Sequence, residues 1–128
     1  MKVIKQTYNI KAPLEKVWQA LTDSKIIEKW GGGPAVMDSK EGTEFTLWGG
    51  DIFGKNISVV PHKKLQQEWY AGKWDEPSIV LFTLTSNGDT TTVDLLHENI
   101  PDSEASEIES GWKKYYMGSL KDLLENSP

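Results

Sequence analysis

Between positions 35 and 99 the chain alternates polar and apolar residues with a period of two, and Asn87-Gly88 stands between two of these runs. A period of two sends alternate side chains to opposite faces of a strand, and Asn-Gly supplies the two left-handed residues of a tight hairpin turn. Residues 78–86 are therefore predicted to pair antiparallel with 90–98. Val80, Phe82 and Leu84 share one face, and Val93, Leu95 and His97 share a face of the partner. Further strands are predicted at 35–39, 43–48, 51–60 and 65–71, separated by turn signals at Glu41-Gly42, Gly49-Gly50-Asp51, Pro61-His62 and Gly72 to Pro77. The apolar side of such a sheet has to be covered by something else.

The flanks supply the cover. Residues 3–11 read as another strand, with Ile4, Tyr8 and Ile10 on one face, ended by Ala12-Pro13. Leu14, Val17, Trp18 and Leu21 then recur at helical spacing. A second short helix starts at Asp23 or Ser24 as N-cap, turns Ile26, Ile27 and Trp30 inward, and stops at Gly31-Gly32-Gly33-Pro34. Beyond Ile100-Pro101, Asp102 or Ser103 is predicted to cap a long helix with Glu104, Glu107 and Glu109 in its first turns. Ile108, Trp112, Tyr115, Tyr116, Ser119, Leu120 and Leu123 form its apolar stripe. The expectation is an α+β fold in one domain over residues 1–128. A curved antiparallel sheet of about six or seven strands surrounds a long C-terminal helix, with two short helices after the first strand.

Composition excludes several function classes. With no cysteine there is no thiol catalysis, disulfide or thiolate metal site. The two histidines, His62 and His97, lie in no metal-ligand motif, so no metal and no cofactor are expected. A net charge of −5 without a basic stripe argues against nucleic acid. The N-terminus lacks the apolar core of a signal peptide and no apolar run approaches a membrane span, so a cytoplasmic chain without membrane insertion is expected. Gly31-Gly32-Gly33-Pro34 follows a helix and precedes a strand, the reverse of a phosphate-binding loop. No nucleophile elbow, kinase signature or dinucleotide fingerprint is present, and no catalytic residue is assigned.

What stands out is six tryptophans, at 18, 30, 48, 69, 74 and 112. Large rings fill cores, and they also wall pockets. A strongly twisted sheet around one helix leaves room between the two. Trp18, Phe45, Trp69, Phe82, Leu84, His97, Trp112, Tyr115 and Tyr116 are the candidate lining of that space, with His97 and the tyrosine hydroxyls as polar anchors. The plainer reading of His97 is a core-edge histidine bonded to backbone, and His62 reads as an exposed turn residue.

Two stretches carry a family resemblance. IKAPLEKVWQALTDSKIIEKW resembles the start of the START-like (SRPBCC, helix-grip) superfamily. The second half is similar to the C-terminal domain of the activator of Hsp90 ATPase family through Gly54, Val60-Pro61, Trp69, Trp74, Pro77, Asn87-Gly88, Ile100-Pro101, Gly111-Trp112 and Tyr115-Tyr116. The chain departs from the usual Gly-Gly before the third strand, carrying Gly42-Thr43. The resemblance implies a helix-grip fold and a non-enzymatic domain holding a small hydrophobic or aromatic ligand between sheet and helix. Its alternative implication is a chaperone-linked, stress-response module with an Hsp90-type partner, acting without the ATPase-stimulating N-terminal domain. A cyclase- or hydrolase-like enzyme is a second alternative.

Overall fold

The computed structural model describes residues 1–126. Six strands form one antiparallel sheet: β1 (Lys2–Ile10), β2 (Glu44–Leu47), β3 (Ile52–Val60), β4 (Lys64–Ala71), β5 (Ser78–Asn87) and β6 (Thr90–Ile100). Their spatial order is β1-β6-β5-β4-β3-β2, so β2 to β6 is a meander and β1 closes the far edge beside β6. The Asn87-Gly88 hairpin forms as expected, with Val80 opposite His97, Phe82 opposite Leu95 and Leu84 opposite Val93. All six side chains are buried on the concave face.

Two short helices follow β1: α1 (Leu14–Thr22) and α2 (Ser24–Trp30). Asp23 caps α2, its carboxylate accepting from the backbone N–H of Lys25 and Ile26. Gly31, in the left-handed region at φ 104°, ends it. The C-terminal helix comprises α3 (Ala105–Gly111), a π-helical turn (Trp112–Tyr116) and α4 (Met117–Asn126). It lies across the concave face with Trp112, Tyr116, Met117 and Leu120 buried.

Two expectations need correction. Residues 35–39 are not a strand and make only one bridge, Val36 to Thr46. The segment is held elsewhere: Met37 exchanges hydrogen bonds with the Ser24 hydroxyl of α2, and the Asn56 amide donates to the carbonyls of Asp38 and Lys40. The last helix is capped neither by Asp102 nor by Ser103. Residues 102–104 form a turn, Glu104 takes the N-cap position, and the Asp102 carboxylate instead pairs with the N-terminal ammonium at 3.0 Å.

Two glycines mark close approaches. A Cβ on Gly54 would stand 1.8 Å from the Glu68 carbonyl oxygen on β4, so the β3–β4 pair closes only over a hydrogen. A Cβ on Gly118 would stand 2.0 Å from the carbonyl oxygen of Lys113, inside the π-helical turn. That turn needs the missing side chain.

Candidate functional site

The centre of the molecule is an aromatic cluster. Tyr116 lies with its ring centroid 4.6 Å from Trp112, 4.7 Å from Trp30, 5.8 Å from Phe82, 5.9 Å from Trp69 and 6.2 Å from Trp48. The π-helical turn makes this possible, since it aims Trp112 and Tyr116 at the sheet while Tyr115 stays 65% exposed. Trp69, near the C-terminal end of β4, stacks on Trp112 at 4.8 Å.

Beside this cluster opens a cavity of about 330 Å³. Trp48, Trp69, Trp74, Trp112, Tyr115 and Tyr116 supply its aromatic wall. Ile52, Ala71, Ile108, Gly111, His97 and Asp51 complete it. The rim is built by elements with no apparent aromatic pattern in sequence. Trp48 begins a short 3₁₀ turn and adopts φ 50°, a rare conformation for a bulky residue. Two hydrogen bonds hold it there, Trp48 N–H to the Gly32 carbonyl at 2.7 Å and Gly49 N–H to the Pro34 carbonyl at 2.9 Å. The Gly31 to Pro34 breaker therefore anchors one wall of the cavity. On the opposite side, Trp74 in the 72–77 loop donates its indole N–H to the Glu104 carboxylate at the start of α3.

His97 is fully buried and bonded through both ring nitrogens. The Trp112 indole N–H donates to Nδ1 at 3.0 Å, and Nε2 lies 2.7 Å from the Ser78 hydroxyl. An indole nitrogen can only donate, so Nδ1 must be unprotonated and Nε2 must carry the hydrogen. Ser78 passes the chain on, its hydroxyl donating to the Trp69 carbonyl at 3.2 Å. Burial lowers the His97 pKa from 6.5 to about 4, which keeps the ring neutral and this tautomer fixed. The expected backbone partner for His97 is thus replaced by two side chains. The arrangement locks the Trp112 ring rather than offering a base to a substrate.

A second relay supports Trp69. Its indole N–H donates to Gln67 Oε1 at 2.8 Å, and Gln67 Nε2 donates to Asn56 Oδ1 at 2.9 Å. Asn56 in turn ties to the 38–40 loop. Gln67 and Asn56 are buried, and each is paired. By contrast, the buried Tyr116 hydroxyl has no hydrogen-bond partner among the described residues, and burial pushes its pKa well above 10.

The structure gathers five of the nine sequence-derived candidates at the cavity: Trp69, His97, Trp112, Tyr115 and Tyr116. Phe45 and Phe82 lie behind it, packed on Trp69 and on Trp112 and Tyr116. Trp18 and Leu84 belong to the other end of the core. Trp18 meets the ring of exposed His62 at 5.8 Å, and Leu84 flanks a groove with Leu14 and His62. Sequence reasoning missed Trp48, Asp51, Ile52, Ala71, Trp74, Ile108 and Gly111 as lining. A tryptophan in a Gly/Asp/Pro-rich loop, such as Trp74, was the available signal.

Among the described residues no group of three or more His, Cys, Asp or Glu could hold a metal ion, and no helix is long and apolar enough to cross a membrane. A six-stranded curved sheet gripping a C-terminal helix, with a cavity between them, defines a START-like helix-grip protein. The family model described as "Activator of Hsp90 ATPase homolog 1-like protein" matches residues 11–125, and the chain belongs to this family. The activator of 90 kDa heat shock protein ATPase homolog 1 of Mus musculus is 26% identical over 113 residues, covering 86% of this chain and 33% of the mouse protein. The corresponding homolog of Dictyostelium discoideum is 32% identical over 95 residues, covering 72% of this chain and 25% of its own length. The chain thus spans about a third or less of these relatives. In three dimensions it is similar to the Aha1 dimer of Colwellia psychrerythraea, at TM-score 0.84 and 26% identity over 98% of both chains. An HSP90 activator from Plasmodium falciparum shares the fold at TM-score 0.89 and 24% identity, over 97% of this chain and 96% of that one.

Proposed function

We propose that this chain is a non-enzymatic domain that binds a small hydrophobic ligand between its sheet and its C-terminal helix. The observation that carries the reading is the cavity of about 330 Å³ walled by four tryptophans and two tyrosines. Apolar walls with few polar groups are the usual make-up of small-molecule sites. In this reading Trp69, Trp112 and Tyr116 form the floor, and Trp48 and Trp74 the rim. His97 acts through Trp112 as a positioning residue. Its committed nitrogens support a binding role over a catalytic one.

The test is titration of ¹⁵N-labelled protein with a panel of lipids and small aromatics. The indole N–H signals of Trp48 and Trp74 are expected to shift, while that of Trp18 stays in place. A panel that moves no cavity signal would overturn the reading.

The names of the relatives favour a second reading, in which the domain also contacts an Hsp90-type chaperone through its acidic surface. Titration with purified Hsp90 tests this. Surface resonances of the domain shift and broaden if it holds, and an unchanged spectrum at high micromolar Hsp90 would refute it.

A further inference from the structure

Which ligand chemistry fits the cavity follows from where its polar groups already point. Three of the four lining tryptophans have their indole N–H engaged inside the protein: Trp69 with Gln67, Trp112 with His97 and Trp74 with Glu104. His97 offers no nitrogen, since both are bonded. The lining contains no lysine or arginine. A carboxylate or phosphate entering here would lose its hydration and find almost no donor to replace it, a heavily unfavourable exchange.

The wall offers the opposite set of interactions. The faces of aromatic rings carry negative electrostatic potential, and rings on several sides of one space attract a cation that has shed its water. The one charged residue in the lining is an acid, Asp51, exposed at the rim. Its backbone N–H donates to the Trp48 carbonyl at 3.3 Å, while its carboxylate has no hydrogen bond or ion pair among the described residues. The molecule as a whole carries −5, which draws cations toward it.

Resting on the ligand-binding reading above, we propose that the cavity selects organic cations. The ligand is an ammonium group, quaternary or protonated, bearing apolar or aromatic substituents, enclosed by Trp48, Trp69, Trp74 and Tyr115 and neutralised by Asp51. Fatty acids and other apolar anions are excluded by the same walls.

The experiment compares benzyltrimethylammonium with its uncharged carbon isostere neopentylbenzene and with phenylacetate. Binding is read from ¹⁹F NMR of protein labelled with 5-fluorotryptophan and from intrinsic fluorescence of unlabelled protein. The cation is expected to bind on the order of tenfold more tightly than the isostere, and phenylacetate not to bind. Asp51→Asn, at an exposed position on the rim, should weaken the cation several-fold and leave the isostere within about twofold. Glycerophosphocholine separates two sources of the cation: displacement of benzyltrimethylammonium points to a lipid headgroup, and no displacement to a free amine. Equal affinity for cation and isostere, or tighter binding of phenylacetate, would overturn the selectivity while leaving hydrophobic binding intact. If none of the three binds, both readings fall.

Discussion

His97 links the pH response of the fold to the geometry of the cavity. In the unfolded chain its ring takes a proton near pH 6.5, whereas in the fold burial delays protonation to about pH 4. Between these values the unfolded state binds more protons, so acidification favours unfolding. The contribution of neutral His97 is complete above pH 6.5, declines as pH falls, and is exhausted below about pH 4. From pH 7 to pH 4.5 it amounts to about 2–3 kcal/mol. His97→Gln, which can still accept from Trp112 and donate to Ser78 but does not titrate, should show a shallower loss by that amount in urea unfolding at the two pH values. Equal losses in both proteins would contradict the assigned tautomer chain. The two partners of His97 were not legible in the sequence. Ser78 opens β5, 19 positions before His97, and Trp112 lies 15 positions after it, so the chain of contacts exists only once the helix crosses the sheet.

At the scale of elements, the π-helical turn decides which helix residues face the cavity. A regular stripe through Ile108, Trp112, Tyr115, Tyr116, Ser119, Leu120 and Leu123 was readable from spacing, but the change of pitch was not, because hydrophobic period cannot distinguish one wide turn from a regular one. The consequence is a Tyr115 left 65% exposed at the edge of the cavity and a Gly118 with no room for a side chain. Gly118→Ala would gain about 1 kcal/mol from helix propensity in open space. Here the new methyl meets a carbonyl oxygen, and the overpacking term of about 1–3 kcal/mol is expected to win. Thermal unfolding should show a lower midpoint for Gly118→Ala, together with altered indole signals for Trp112. A midpoint at or above that of the parent would mean the turn relaxes to ordinary helix at no cost. The strands were legible for a simpler reason. β5 and β6 alternate cleanly and are joined by Asn-Gly, whereas residues 35–39 alternate over too few positions to outweigh the pull of Ser24 and Asn56.

For the whole molecule, the sheet and helix fix a cavity whose wall is shared by segments far apart in sequence: the 48–52 turn, the C-terminal end of β4, the 72–77 loop, His97 of β6 and the first half of the last helix. Helix and sheet stripes exposed five of the nine proposed lining residues. Loop residues escaped because loops show no period. Gly111 offers a direct handle on this space. It lines the cavity, and a Cβ there meets nothing within 4 Å, so Gly111→Leu projects a side chain into open volume while improving helix propensity. Whether the ligand occupies this space is read from the affinity of the best ligand of the panel for the parent and for Gly111→Leu, with the unfolding midpoint of each recorded alongside. The parent is expected to bind, the filled variant to bind at least about tenfold more weakly, and the midpoint to be unchanged or raised. Undiminished binding to a folded Gly111→Leu protein would place the ligand elsewhere and contradict binding between sheet and helix.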